Sequence, residues 1–157
     1  MKMLLLGCGG QIGTELSALL PVFGELIAPS REVCDLLKVE TISQLMRSIK
    51  PDLIVNAAAY TAVDLAEKEK TLAKSINATA VDVLARETKR LGSLLVHYST
   101  DYVFDGTNSL PYTEEDQTNP INVYGQTKLQ GEEYIQESGC AHLIFRTSWV
   151  HSPYRSN

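Results

Sequence analysis

The chain is poor in cysteine, in long apolar segments and in excess basic charge. Its three cysteines form an odd, widely spaced set with no Cys-x-x-Cys pair, which argues against a disulfide framework or a zinc site and favours reduced thiols in a cytoplasm. No apolar segment approaches the ~20 residues that a membrane-spanning helix needs. The formal net charge is −5 and the basic residues are scattered. We therefore expect a cytoplasmic globular domain that binds neither membranes nor nucleic acid.

Short apolar segments alternate with longer segments of helical character. Five of the short segments have the length and composition of strands, namely residues 2–6, 25–28, 53–56, 94–99 and 142–146. Four longer segments are predicted helices, namely residues 11–20, 39–49, 71–91 and 122–137. The alternation predicts an α/β fold of the Rossmann type, with a doubly wound parallel sheet, helices on both faces and one domain over residues 1–157.

Two further segments are read from their composition. The apolar start of the chain meets Gly7 too soon to be a signal peptide, so it is predicted to be a buried strand. Residues 105–120 are rich in Asn, Thr, Pro and Glu and lack periodicity. They are predicted to form a surface loop, and its length raises the expectation of a function.

A glycine-rich turn follows the first predicted strand and opens the first predicted helix. Gly7 allows the tight turn, Gly10 lets backbone approach a pyrophosphate, and Gly13 lets helix and strand pack closely. The helix start then presents free N–H groups and a positive dipole end to phosphates. The turn therefore predicts a dinucleotide site, although a tight turn in an α/β domain with another ligand has the same pattern.

The end of the second predicted strand bears on the choice of cofactor. An NAD site normally has an acidic residue there, on the ribose 2′-hydroxyl. This chain has Ser30 and Arg31, which can receive a 2′-phosphate, followed directly by Glu32. We therefore expect NADPH and keep NADH open, because Arg31 is equally well explained as a solvated surface residue.

The third predicted strand ends in small residues. The segment Asn56-Ala57-Ala58-Ala59-Tyr60 leaves room for a ligand beside the crevice where strand order reverses. Small residues also suit ordinary packing of strand against helix, so the segment by itself predicts little.

Tyr124 and Lys128 are four residues apart in a predicted helix and share one of its faces. A free tyrosine has a pKa of ~10, so it needs help as an acid–base catalyst near neutral pH. Lowering that pKa by about three units takes ~4 kcal/mol of phenolate stabilisation, which a nearby ammonium and an oxidised nicotinamide supply in a water-poor cleft. By spacing alone, the two residues are equally well explained as a surface pair.

Thr100 ends the fourth predicted strand, where its hydroxyl can donate a hydrogen bond to a substrate carbonyl. In isolation, a hydroxyl at this point is explained as a turn partner. The order of glycine turn, hydroxyl and Tyr/Lys pair along the chain favours the catalytic interpretation.

Together these stretches resemble the extended short-chain dehydrogenases/reductases, and most closely the dTDP-4-dehydrorhamnose reductase family. The stretches that carry the resemblance are GCGGQIG, NAAAYTAVDLAE, STDYVFDG, YTEEDQTNPINVYGQTKLQGE and RTSWV. The resemblance implies hydride transfer from NAD(P)H to C4 of dTDP-4-dehydro-L-rhamnose, which gives dTDP-L-rhamnose for cell-surface polysaccharide.

The resemblance also assigns roles to residues. Tyr124 protonates the C4 oxygen, Lys128 lowers its pKa and holds the ribose, Thr100 stands where the superfamily usually has serine, and Asn77 matches a supporting asparagine. The implied cofactor contacts are Gly7, Gly10, Gln11, Ile12, Gly13, Arg31, Asp35, Leu36, Ala57, Ala58, Ala59, Tyr60, Tyr124 and Lys128. The implied substrate contacts are Thr100, Asp101, Tyr102 and Trp149, for the last of which core packing is the alternative.

Further expectations concern partners, metals and length. The resemblance implies a dTDP-linked sugar nucleotide as substrate, a homodimer, and Mg²⁺ as a feature of some members, although no self-contained magnesium site is found in the sequence. His97, His142 and His151 are spaced unlike metal ligands and are predicted to serve packing or surface roles. The family has a smaller substrate lobe after this point, so we expect the chain to be a fragment or a truncated descendant with weak activity alone.

Two alternative functions stay open. One is another sugar-nucleotide epimerase or dehydratase that shares the Tyr/Lys pair, although dehydratases add a second acid where this chain has Tyr102 after Asp101. The other is a non-catalytic NADP-binding regulatory protein that resembles the methionine adenosyltransferase β subunit. The intact set Thr100, Tyr124 and Lys128 favours chemistry over a purely regulatory role.

Overall fold

The computed structural model describes residues 1–151 and contains one parallel five-stranded sheet of order β2-β1-β3-β4-β5. The strands are β1 (Lys2–Leu6), β2 (Glu25–Ile27), β3 (Leu53–Asn56), β4 (Leu94–Thr100) and β5 (Ala141–Thr147). The chain moves to one side of β1 to form β2 and then crosses to the other side to form β3. This reversal opens a crevice at the carboxyl ends of β1 and β3, where ligands of such sheets bind.

Six α-helices connect these strands. They are α1 (Gln11–Leu19), α2 (Val39–Ile49), α3 (Val63–Ala66), α4 (Lys70–Lys74), α5 (Ala80–Leu91) and α6 (Val123–Ser138). Helices α2, α5 and α6 pack side by side on one face of the sheet. Right-handed crossovers then place α1 on the opposite face, so the predicted doubly wound sheet is confirmed.

The core lies between the sheet and the α2–α5–α6 layer. Residues 3–6 of β1 are buried, as their continuous apolar run predicts for a central parallel strand. They pack with apolar residues of the three helices, among them Ile42, Leu84 and Ile135. None of the helices within residues 1–151 is long and apolar enough to cross a membrane.

The predicted helix over residues 71–91 is interrupted. A π-helical turn (Ser75–Thr79) joins α4 to α5 in place of regular α-helix. Within this turn the Asn77 side chain bonds the backbone of Tyr60, donating to its carbonyl at 3.0 Å and accepting from its N–H at 2.8 Å. Single π-turns mark functional positions in many helices, and apolar periodicity alone does not reveal them.

The predicted loop over residues 105–120 contains no helix or strand. It is nevertheless organised around the Asp105 carboxylate, which accepts hydrogen bonds from Thr107, the Tyr112 hydroxyl and the Asn119 amide. The Tyr112 ring also stacks on Phe104 at a centroid distance of 4.2 Å. These bonds hold the pKa of Asp105 well below its ordinary value.

Candidate functional site

The glycine turn after β1 has the geometry that its spacing predicts. Gly7 has φ +80°, and a Cβ there would lie 2.6 Å from the Ala58 backbone nitrogen. A Cβ at Gly13 would collide with the Gly7 carbonyl oxygen, so α1 packs against the turn only because position 13 is glycine. A Cβ at Gly10 would meet that oxygen at an ordinary 3.5 Å, so the protein itself does not require glycine there. The room above Gly10 is therefore left for a ligand.

Two cavities meet at this turn. One has a volume of about 670 Å³ and the other about 400 Å³, and both are lined by Gly7, Gly10, Ala58 and Ala59. Helix α1 begins at Gln11, directly beside the shared wall. A dinucleotide has this shape, with two halves joined by a pyrophosphate that a helix N-terminus stabilises. The residues present therefore fit a nicotinamide dinucleotide.

The larger cavity brings together the predicted catalytic and substrate residues. Its lining includes Gln11, Ile12, Ala57, Thr100, Asp101, Tyr102, Tyr124, Lys128 and Trp149. The side chain of Trp149 is exposed rather than packed in the core, contrary to the alternative interpretation of this residue. The Tyr102 ring meets Tyr124 edge-on at 5.7 Å between centroids. The predicted catalytic and substrate residues thus come from three segments that are distant in sequence, namely residues 100–102, 124–128 and 149, and line the same cavity.

The start of α6 is capped from two sides, and this capping places Tyr124. The Asn122 side chain accepts a hydrogen bond from the Gly125 N–H at 2.7 Å, as expected for an N-cap asparagine. The Glu67 carboxylate accepts from the Val123 N–H at 2.8 Å. The negative charge of Glu67 also lies at the positive end of the helix dipole, where it stabilises the helix. The first turn of α6 is therefore anchored to the segment that follows α3.

The phenol of Tyr124 is held in its protonated form. Burial raises its pKa, the nearby Asp101 and Tyr102 raise it further, and a hydrogen bond with Thr100 opposes them. The Thr100 hydroxyl donates to Asp101 at 3.2 Å and accepts from the Tyr102 N–H at 3.2 Å. Thr100 is thus both the predicted strand-end hydroxyl and a turn partner.

Lys128 is buried behind Tyr124 on the same helix. Its Nζ donates to the Tyr98 carbonyl at 2.6 Å and lies 3.4 Å from Nε2 of His97. Burial lowers its pKa to about 8, although the nearby Glu132 raises it. Among the hydrogen bonds of residues 1–151, none joins Nζ to the Tyr124 hydroxyl. The expected effect of Lys128 on the pKa of Tyr124 stays a prediction.

The smaller cavity holds the residues expected near the adenosine. Ser30, Arg31, Asp35 and Leu36 line it, together with the unpredicted Cys8 and Cys34. The Arg31 side chain is 75% exposed and lies 3.8 Å from the Asp35 carboxylate. Arg31 therefore lines the cavity where the adenosine was expected. The Asp35 carboxylate beside it would compete with a bound phosphate for the guanidinium.

Three of the predicted residues, Gly13, Tyr60 and Asn77, line neither cavity but support the residues that do. Gly13 lies beneath the turn, as described above. Tyr60 is held at its backbone by Asn77, and its hydroxyl donates to Glu69 at 2.7 Å. Burial and that hydrogen bond raise the pKa of Tyr60 to about 12. Asn77 also donates to the Thr127 hydroxyl at 3.2 Å, which links the π-turn to α6.

Sequence reasoning missed the buried polar groups that hold α6 to the sheet. Glu132 is 1% exposed, accepts hydrogen bonds from the Arg146 guanidinium at 2.7 and 3.1 Å, and is bonded by the Ser99 hydroxyl. His97 is fully buried and contacts Asn56 and Lys128, so its role is more specific than general packing. The position of Glu132, four residues after Lys128, was the available signal for the first of these groups.

A metal site has no support in the described part of the chain. Within residues 1–151, no group of three or more His, Cys, Asp and Glu side chains is arranged to hold a metal ion. The magnesium implied by resemblance therefore has no counterpart among these residues.

Comparisons with known proteins show similarity over the whole length of this chain. The family described as RmlD substrate binding domain matches residues 1–157. The dTDP-4-dehydrorhamnose reductase of Burkholderia thailandensis is 53% identical over 150 residues, which cover 96% of this chain and 50% of the relative. That of Escherichia coli K12 is 49% identical and is covered to 54% by the whole chain. The crystal structure of the Bacillus anthracis reductase in complex with NADP matches all of this chain and 57% of its own, with TM-score 0.95 and 36% identity. The chain thus spans about half the length of the curated relatives it matches.

Proposed function

Because this chain belongs to the RmlD substrate binding domain family, we propose that it is the nucleotide-binding half of a dTDP-4-dehydrorhamnose reductase. The proposed reaction converts the C4 ketone of dTDP-4-dehydro-L-rhamnose into the alcohol of dTDP-L-rhamnose. The observation that carries the proposal is that Thr100, Tyr124 and Lys128 line the same cavity as the glycine turn. The nicotinamide cofactor, when bound, supplies the hydride.

Tyr124 is the proposed proton donor. Hydride addition turns a carbonyl oxygen into an alkoxide, which is far more basic than a phenol. The raised pKa of Tyr124 keeps the phenol protonated until that charge develops, which suits the reductive direction. Thr100 lines the same cavity, and rotation of its hydroxyl away from Asp101 would let it donate a hydrogen bond to the carbonyl oxygen.

Lys128 is proposed to hold the cofactor ribose. One of its three N–H groups is used by the Tyr98 carbonyl and a second faces His97. Since Lys128 also lines the larger cavity, the third is left for a ligand. A compact ammonium on a flexible stem is suited to hydrogen-bond ribose hydroxyls.

We propose NADPH as the preferred reductant. Arg31 at the rim of the smaller cavity is the candidate partner of the 2′-phosphate, and a charge-assisted bond to phosphate would strengthen binding. The Asp35 carboxylate beside it reduces that advantage, so NADH is expected to bind as well.

The substrate, the assembly and the location belong to the same proposal. Asp101, Tyr102 and Trp149 line the larger cavity and are proposed to contact the sugar nucleotide. The family resemblance further supports a homodimer in the cytoplasm.

The test is an assay with dTDP-4-dehydro-L-rhamnose that follows the loss of NADPH absorbance. The Tyr124→Phe variant should lose turnover by about 100-fold or more, as removal of a general acid does, while its NADPH affinity stays within a few-fold of the parent. Tyr134→Phe is the matched control, because Tyr134 lies on the same helix and bonds only Gln130 in the described chain. Turnover of Tyr124→Phe close to that of the control would remove Tyr124 from the mechanism.

A further inference from the structure

A series of buried hydrogen bonds connects the cleft to Lys128 and is not used by the proposed chemistry. It runs from the Ala58 amide through the side chains of Asn56 and His97 to Nζ of Lys128. Asn56 and His97 are paired across β3 and β4, and both are almost completely buried. Buried polar groups of this kind must satisfy one another, so the position of each proton constrains the next.

The donors and acceptors can be assigned from the Ala58 end. The Ala58 N–H donates to Oδ1 of Asn56 at 3.2 Å, which places the amide nitrogen 3.1 Å from Nδ1 of His97. An amide nitrogen only donates, so Nδ1 accepts. A neutral imidazole then carries its proton on Nε2, the atom that lies 3.4 Å from Nζ of Lys128.

This assignment conflicts with a charged Lys128. An ammonium has no acceptor for the Nε2 proton, whereas a neutral amine has one. Opposite an ammonium, Nε2 must accept instead, so Nδ1 carries the proton and requires the Asn56 oxygen. A half-turn of the amide group exchanges its oxygen and nitrogen within the same shape. After that half-turn the Ala58 N–H has lost its acceptor.

We propose that Asn56 and His97 are positioning residues that couple the charge of Lys128 to the hydrogen bond of the Ala58 amide. With neutral Lys128, His97 is the Nε2–H tautomer and Ala58 is bonded to Asn56. With charged Lys128, His97 is the Nδ1–H tautomer and the Ala58 N–H faces the amide nitrogen of Asn56, so this hydrogen bond is lost.

The electrostatics place this exchange in an accessible pH range. Burial, with the charge of Lys128 nearby, lowers the pKa of His97 well below its ordinary value, so the ring stays neutral and only its tautomer changes. Lys128 itself titrates with a pKa of about 8. Among the titratable groups of the described residues on β4, β5, α5 and α6, those whose charge is coupled to Lys128 are His97 and Glu132. Of these, Glu132 favours the charged form of Lys128.

The coupling has a consequence for ligand binding, and that consequence rests on the proposed function. Ala58 lines both cavities at the glycine turn, where a dinucleotide would pass. The charge of Lys128 would therefore alter the hydrogen bonding of the backbone that forms the wall of the dinucleotide cleft. In the uncharged state the Ala58 N–H keeps its bond to Asn56.

Nuclear magnetic resonance of the ¹⁵N-labelled chain, with ¹³C-labelled lysine, tests the coupling without substrate or cofactor. Long-range ¹H–¹⁵N spectra report the His97 tautomer, lysine ¹³Cε shifts report the Lys128 charge, and the backbone spectrum reports the Ala58 amide. Between pH 6 and 10, we expect all three signals to change with one midpoint. A His97 tautomer that stays constant while Lys128 titrates would overturn the proposal, and so would an Ala58 amide that does not follow Lys128.

Two variants sharpen the test. Lys128→Met should leave both the His97 tautomer and the Ala58 amide independent of pH. Lys89→Met is the matched control, because the Lys89 ammonium also donates to a backbone carbonyl, that of Gly139 at 2.6 Å, but on the exposed surface. It should preserve the common midpoint, and loss of the midpoint in this control would contradict the assignment to Lys128. Because no reaction is measured, a failed activity assay leaves this result unaffected.

Discussion

The buried ion pair between Glu132 and Arg146 allows a quantitative prediction about stability. Glu132 is 1% exposed at its side chain and Arg146 is 21% exposed, and two N–H groups of Arg146 point at the carboxylate. Removing one member of a buried pair typically costs 3–5 kcal/mol, because the other charge stays buried without compensation. Since Arg146 keeps some contact with water, we expect Glu132→Gln to lower the free energy of unfolding by about 3 kcal/mol.

Urea unfolding followed by circular dichroism measures this loss. With an m-value of about 2 kcal/mol per molar urea for a chain of this size, the midpoint should fall by about 1.5 M. The matched control is Asp82→Asn, which breaks an i,i+4 pair whose arginine, Arg86, is 74% exposed. It should change stability by less than about 0.5 kcal/mol.

The double variant Glu132→Met/Arg146→Met separates a lost charge partner from lost packing. Replacing both charges by apolar side chains of similar size should recover most of the stability. A loss below about 1 kcal/mol for Glu132→Gln alone would refute the reasoning, because it would show that water or another group compensates Arg146. Glu132→Gln also removes the carboxylate that raises the pKa of Lys128, so Lys128 should lose its proton at a lower pH than in the parent.

Three further predictions concern the cleft. Lys128→Ala should reduce turnover and also raise the NADPH dissociation constant, measured by calorimetry, since the ribose contact is lost; an unchanged constant would contradict the two roles of this residue. Arg31→Ala should weaken NADPH binding by ~1.5 kcal/mol, the lower end for a charged hydrogen bond because Arg31 is exposed, and should leave NADH binding nearly constant. An equal loss for both cofactors would show that Arg31 acts structurally. Gly13→Ala should displace α1 from the Gly7 turn and abolish dinucleotide binding. The control Gly92→Ala, whose Cβ would meet nothing within 4 Å, strains only its own backbone and should keep that binding. Intact binding in Gly13→Ala would show that the turn can adapt.

Much of the fold was predictable, because parallel strands buried on both faces have continuous apolar segments. The bounds of β1, β3 and α2 agree with the prediction, and β4 and β5 extend by one or two residues. The glycine turn was predictable for a steric reason, since positions 7 and 13 admit no side chain. Short elements that depend on tertiary hydrogen bonds, such as α3 and the π-turn at Asn77, could not be predicted from periodicity.

The cleft was predictable in its residue types but less so in its hydrogen bonds. Thr100, Tyr124 and Lys128 meet as expected, because a strand end and the first turns of the next helix lie at the same edge of the sheet. The partners of Lys128 were not foreseen. A backbone carbonyl carries no sequence signal, and a buried histidine resembles any other core residue until its neighbours are known.

Strand β4 leaves the chain no freedom of length at its carboxyl end. Four successive residues there, residues 97 to 100, each make a hydrogen-bond contact. The His97 ring and the Tyr98 carbonyl contact Lys128, the Ser99 hydroxyl bonds Glu132, and the Thr100 hydroxyl accepts from the Tyr102 N–H. Inserting or deleting one residue there would exchange the two faces of the strand and break these side-chain contacts at once. Change at this strand end is therefore confined to substitutions, whereas insertions and deletions between β4 and α6 are expected to be tolerated best in the exposed loop that the Asp105 network closes.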